Sequence, residues 1–306
     1  MNPHGGKSPQ GEITVAYNID QALEQEDRTN MIAFLPKEYL AEVDGMKAVD
    51  CGNINFADFF AGKTWMPTAQ PAPQFGVLPI ILGTLMVSFA AIAIALPFAL
   101  AAAVFLSEIA DKRLYKLLKP AIELLSGIPS VVYGFFGLIV VVPIVQKTFG
   151  LDVGETALSG AIILAIMALP TIITIAEDAM RATPDTLREA SLALGANKWQ
   201  TIYKVVIPHA KSGITAGVVL GIGRAMGETM AVLMVCGNAA VIPHTLLEPI
   251  RTIPATIAAE LGEAPQGGAH YSALFMLACI LFLLTLLINL SVEYISKRKN
   301  LKTKKI

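Results

Sequence analysis

The chain has 306 residues, 54% of them hydrophobic and only 15% charged, and its formal net charge is −1. Soluble domains carry roughly 25% charge, so much of this chain belongs in lipid. The near-neutral balance, without any basic stretch interleaved with aromatics, argues against nucleic acid. The three cysteines (Cys51, Cys236, Cys279) make no even-numbered framework, and the four histidines lack metal-ligand spacing.

Residues 1–75 are polar and mixed, with no apolar run long enough to span a bilayer. Gly62-Lys63-Thr64 looks like the end of a phosphate-binding loop, but the motif needs Gly five positions before Gly62, where Ala57 stands. No nucleotide site, cofactor or metal is expected. Five apolar runs follow, at about 76–105, 130–146, 156–176, 213–236 and 272–292. A span needs about 20 apolar residues, so the second run lies at the low limit. Prolines 97, 129, 143 and 170 lie in or beside these runs. Membrane helices tolerate them where neighbours satisfy the freed carbonyls.

Orientation is read from Lys and Arg. Lys112, Arg113, Lys116 and Lys119 follow the first run, and Arg181, Arg188, Lys198, Lys204 and Lys211 follow the third. Lys297, Arg298, Lys299, Lys302, Lys304 and Lys305 lie in the tail at 293–306, whereas the two opposite loops hold only Lys147 and Arg251. The first set is therefore expected in the cytoplasm, with the C-terminus, and 237–271 in the periplasm. Five crossings would then leave residues 1–75 outside, yet no signal peptide pattern is visible there. Either a sixth helix is missing at the N-terminus, which is the favoured reading, or the first visible helix carries the polar segment across.

The loop between the third and fourth runs, 183–208, reads TPDTLREASLALGANKWQTIYKVVIP. Thr183 suits an N-cap, Pro184 the first helical position and Asp185 the positive end of the helix dipole. Gly195 suits a left-handed stop after about Leu194. A second short helix carrying Trp199, Ile202, Val205 and Val206 is expected to end at Pro208. Taken alone, this helix–Gly–helix elbow is as compatible with an amphipathic connector at the membrane surface as with a docking element.

Glu189-Ala190-Ser191, then Gly195, then Ile207-Pro208 resemble the EAA loop of ABC importer permeases, with Ser191 where the family usually has a second Ala. Further matches narrow the resemblance. They are Gly83-Thr84-Leu85, the run from Ser126 to Phe135 (SGIPSVVYGF), Arg224-Ala225-Met226-Gly227-Glu228-Thr229, and Thr252 to Ala258 (TIPATIA). Together they resemble the PstC family of phosphate permease subunits over roughly residues 56–292.

The resemblance implies an all-α integral membrane protein, a type 1 (MetI-like) ABC importer permease bundle with five visible transmembrane helices in a domain at 76–292. It implies a transport subunit rather than an enzyme, importing inorganic phosphate across the bacterial inner membrane. It also implies a PstA-like second permease, a PstB-like ATP-binding dimer that docks on Glu189, Ala190, Ser191, Gly195 and Pro208, and a periplasmic PstS-like binding protein. A permease for phosphonate or sulfate is the nearest alternative. A secondary transporter or channel is more distant, because no second copy of the elbow or of the fourth run is found.

Arg224 is the only Lys or Arg that falls inside a run. An Arg at the bilayer centre costs about 2.5–3.5 kcal/mol on insertion scales, so it must face the bundle interior or water. Glu228 is four residues on, and the spacing predicts that both share one helix face. Two readings stay open: an ion pair that fixes packing, or a phosphate pathway formed by Arg224, Glu228 and Thr229. For the second, the guanidinium fork matches phosphate oxygens, and the PstC resemblance supports it.

Overall fold

The computed structural model describes residues 56–69 and 73–303, with side chains described for 59–291 of these. The expectations for residues 1–55 and for a helix upstream lie outside the described residues.

Among the described residues five helices are long and apolar enough to cross a membrane, at Leu78–Ile109, Ser130–Phe149, Ala157–Arg181, Lys198–Gly227 and Ala269–Ser291. We number the elements in chain order. A short helix α1 (Phe56–Ala61) precedes strands β1 (Trp65–Met66) and β2 (Gln74–Phe75), which pair antiparallel with Trp65 opposite Phe75. Gly62-Lys63-Thr64 thus links a helix to a strand, the reverse of a phosphate loop. Its Thr64 carbonyl accepts from the Gly76 amide at 2.8 Å.

Helix α2 (Leu78–Val104) ends in a wide π-helical turn over Phe105–Ile109. Asp111 then caps the amphipathic α3 (Lys112–Ser126) by accepting from the Leu114 amide at 2.9 Å. The second span is composite: α4 (Ser130–Phe136), a π-turn (Gly137–Val141) and α5 (Val142–Phe149). Gly137 sits where a Cβ would lie 2.7 Å from both Ile163 and Val235 side chains, so bulk there would separate three elements.

Helix α6 (Ala157–Arg181) is the axis of the bundle and is mostly buried, whereas α12 (Ala269–Thr303) is mostly exposed over Ala269–Ser291. Thr156 caps it, and its first free amides at Ala157 and Leu158 donate to the carbonyls of Glu248 and Leu246 at 3.0 and 2.7 Å. Small residues make the contacts of α6 close. Ala91, Ala95, Ala99 and Ala103 recur every four residues along the buried side of α2, and Ala157, Ala161, Ala165 and Ala168 are buried on α6. On its other side Gly213, Gly217 and Gly221 of α9 (Ile207–Gly227) lie against Ala179, Ile175 and Ile172. Lipid supplies no hydrophobic force between helices, so such close van der Waals approach is what holds them together.

After α9 come two short helices, α10 (Met230–Val235) and α11 (Ile253–Glu260). Between them the chain returns to the top of α2, where the Ile253 amide donates to Thr84 Oγ1 at 2.9 Å. A Cβ on Gly83 would lie 2.6 Å from the Arg251 carbonyl oxygen. The same end holds an aromatic and ionic cluster: Glu260 accepts from Trp65 Nε1 (2.9 Å) and Arg251 Nη1 (2.7 Å), and lies 2.8 Å from His270 Nε2.

Candidate functional site

Two regions hold the residues singled out by sequence. The first is the elbow. Its leading helix α7 spans Asp185–Ala193, and Gly195 takes φ +84°, the left-handed conformation expected of it. Thr183 is not the N-cap. Pro184 is extended at the cap, the Thr183 hydroxyl lies 3.3 Å from His209 Nδ1, and the Thr183 carbonyl accepts from Arg188. The second limb starts at α8 (Lys198–Thr201), where Asn197 and Gln200 form a reciprocal capping box.

Pro208 does not end that limb. A π-turn over Ile202–Val206 runs directly into α9, placing Pro208 in the first turn of the next segment. There a missing N–H costs little, and the wider preceding turn makes room for the ring. Ser191 Oγ and Thr201 Oγ1, 3.0 Å apart, tie the two limbs. Glu189, Ala190, Gly195 and Pro208 are exposed. So are large apolar side chains beside them: Leu192, Tyr203, Trp199 at 62% and Leu194 at 90%. These apolar side chains stand exposed on an otherwise polar loop.

The elbow is held by charge at its base. Arg188 reaches Glu108 Oε1 and Asp185 Oδ1, both at 2.9 Å. Burial opposes its charge, but the two carboxylates outweigh that and hold its pKa above the ordinary guanidinium range. Beside it, the fully buried Glu177 carboxylate accepts from Lys119 Nζ at 2.6 Å and pairs with Arg181, whose guanidinium stacks 3.7 Å over the Tyr115 ring. Burial alone would lower the Lys119 pKa; the Glu177 partner raises it beyond its usual value. These pairs attach α3 to α6 and were not found by sequence, where Lys119 and Arg181 counted only as loop residues that set the orientation.

The second region is Arg224. Its Nη1 donates to Thr171 Oγ1 at 3.2 Å. Thr171 is near the middle of α6, so the guanidinium lies at mid-bundle. The expected pairing with Glu228 is not made: α9 stops at Gly227, and Glu228 is extended at its C-cap (ψ 131°). Sharing a face at i,i+4 requires a continuous helix, and here the helix breaks between the two residues. Glu228 Oε1 instead lies 3.4 Å from the Ala231 amide at the start of α10, and Thr229 Oγ1 donates to the Gly227 carbonyl at 3.4 Å. Arg224 occupies the last turn of α9, where the helix dipole favours a cation. Thr171 is a partner that sequence reasoning missed; its one signal is its place directly after Pro170 in a span.

Residues 95–301 match the family described as the binding-protein-dependent transport system inner membrane component. The chain belongs to that permease family. The permease is 40% identical to the probable ABC transporter permease protein YqgH of Bacillus subtilis, over 84% of this chain and 83% of that one. It is 39% identical to the phosphate transport system permease protein PstC of Mesorhizobium japonicum, over 80% of each chain. The PstC of Haemophilus influenzae is 35% identical over 80% of this chain and 83% of its own.

Among solved structures, the MetNI methionine ABC transporter matches with TM-score 0.54 at 21% identity, covering 73% of this chain and 94% of that one. A bacterial ABC transporter importing alginate matches with TM-score 0.55 at 18% identity, covering 76% and 87%. The fold of the permease is thus the type 1, MetI-like importer bundle, and the chain is a membrane transport component.

Proposed function

We propose that the permease carries inorganic phosphate inward across the bacterial inner membrane, as one half of a heterodimeric pathway driven by ATP hydrolysis in partner subunits. The observation that carries this reading is the Arg224 guanidinium. It is placed at mid-bundle beside a helix break and uses one donor on Thr171. Broken helices at membrane depth are tolerated where they line a cavity or are packed in protein. The remaining donors form a planar fork suited to two phosphate oxygens. With Glu228 not neutralising it, Arg224 attracts an anion; Glu228 and Thr229 on the extended segment limit how tightly that anion is held, because a conduit must release what it binds. The PstC relatives support phosphate as the anion.

The elbow serves as the dock for a PstB-like ATP-binding dimer, through Glu189, Ala190, Ser191, Gly195, Pro208 and the exposed apolar side chains around them. A PstA-like second permease completes the pathway, and a PstS-like binding protein delivers phosphate from the periplasm. The elbow and the C-terminus face the cytoplasm, and the chain itself performs no catalysis. The test is radiolabelled phosphate uptake per assembled complex, with sulfate and phosphonate as competitors. Arg224→Gln is expected to abolish uptake while the complex assembles. Wild-type uptake by this variant, or equal competition by sulfate, overturns the reading.

A further inference from the structure

We propose that Arg188 and Glu108 form a strut that transmits movement of the elbow to helix α2, making both positioning residues for transport. The inference rests on the reading of the elbow as the ATPase dock.

Arg188 belongs to the elbow helix but turns back toward the bundle. Its Nη2 donates to Glu108 Oε1 and to the Met180 carbonyl, both at 2.9 Å, and its Nη1 engages Asp185 and the Thr183 carbonyl. The pair is largely buried, with side-chain exposures of 20% for Arg188 and 9% for Glu108. Among the described residues it is the only ion pair between α7 and a span that is not its neighbour in sequence.

Glu108 is out of place by itself. It lies in the π-turn that closes α2, near the negative end of the helix dipole, where an acid is disfavoured and a base is preferred. Its cation comes from the elbow. Arg181 reinforces the same turn by donating to the Leu106 carbonyl at 3.2 Å. The acid in this turn is thus satisfied from another element, which joins the elbow to α2.

Helix α2 carries the link onward. Roughly 36 Å away, at 1.5 Å per residue, Thr84 and Gly83 of the same helix hold the segment that leads into α11. One continuous helical segment, α2 with its closing π-turn, therefore touches the elbow at one end and the opposite face of the bundle at the other.

The experiment uses the assembled complex and measures three quantities: ATP-binding subunit retained on purification, ATP hydrolysed, and phosphate transported per ATP. Glu108→Arg sets two guanidinium groups against each other. It is expected to keep the ATP-binding subunit but to lower phosphate transported per ATP about fivefold or more, the scale of a typical coupling energy. Exchanging the charges, Glu108→Arg with Arg188→Glu, is expected to recover at least half of the ratio. If Glu108→Arg fails to insert, Glu108→Gln, which keeps size and removes charge, is expected to lower the ratio as well, by less than the charge reversal does.

An unchanged ratio in the single variants, no recovery in the exchanged pair, or parallel loss of the ATP-binding subunit and transport overturns the strut. A control separates this from the elbow reading: Leu194→Glu, on the exposed surface, should release the ATP-binding subunit whatever stands at 108. Retention in that control refutes the dock and not the strut geometry. Absence of phosphate uptake by the wild-type complex refutes the substrate reading alone.

Discussion

Arg224 has five N–H donors and, among the described residues, one hydrogen-bonding partner, Thr171. That asymmetry gives the first expectation at the scale of single residues. Thr171→Val keeps the shape of the side chain and removes the acceptor. Losing a hydrogen bond of about 1 kcal/mol should lower phosphate uptake about fivefold with assembly unchanged, because the guanidinium is no longer aimed. Arg224→Lys should be nearly as poor as Arg224→Gln, since a point charge does not reproduce a fork. Uptake by Thr171→Val at the wild-type rate would remove Thr171 from the site. Arg224 was legible in the sequence by elimination, as the one basic residue with no loop to belong to. Its partner was not legible. Four-residue spacing pointed to Glu228, and only the Gly227 between them hinted that the helix stops there.

At the scale of elements, the elbow depends on one backbone conformation. Gly195 is left-handed at φ +84° and a Cβ there would meet nothing within 4 Å, so sterics with neighbours are not the constraint. The constraint is local: a β-branched residue in that conformation costs at least about 1–2 kcal/mol. Gly195→Val should therefore insert normally yet swing the two limbs of the elbow apart. The expected result is loss of the ATP-binding subunit in co-purification and loss of uptake; retention of both would show that the elbow angle does not matter. This turn was readable because glycine followed an amphipathic stretch that opens on Thr183-Pro184-Asp185. The π-turns at 105–109, 137–141 and 202–206 were not, since nothing in Phe-Leu-Ser-Glu-Ile or Ile-Tyr-Lys-Val-Val distinguishes a five-residue hydrogen-bonded ring from a four-residue one. The short helix α11 did carry a local signal: Thr252 caps it and Pro254 lies in its first turn.

At the scale of the whole molecule, the bundle has two unlike ends. One holds the elbow, α3 and the buried Glu177 cluster. The other holds the β1–β2 pair, α11 and the Glu260 cluster. The span count was legible because apolar runs of this length have few other uses, and the basic residues gather at the elbow end. If that end is cytoplasmic, reporter fusions at Lys198 and Glu260 should give opposite signals, and equal signals would refute the orientation and the dock together. How the runs pack was not legible, because the small residues that decide it, such as Gly213 and Ala179, look alike on every face of an apolar helix.

Helix α2 touches both ends, through Glu108 at one and Thr84 at the other. A coupling free energy between two sites has no preferred direction. By thermodynamic linkage, whatever free energy ATP binding exerts on the outer segment, a ligand on the outer segment must exert on ATP binding. If the elbow end is cytoplasmic, a binding protein seated on the opposite end would then change the nucleotide affinity of subunits it never touches, by the same factor with which nucleotide changes its own hold on the membrane.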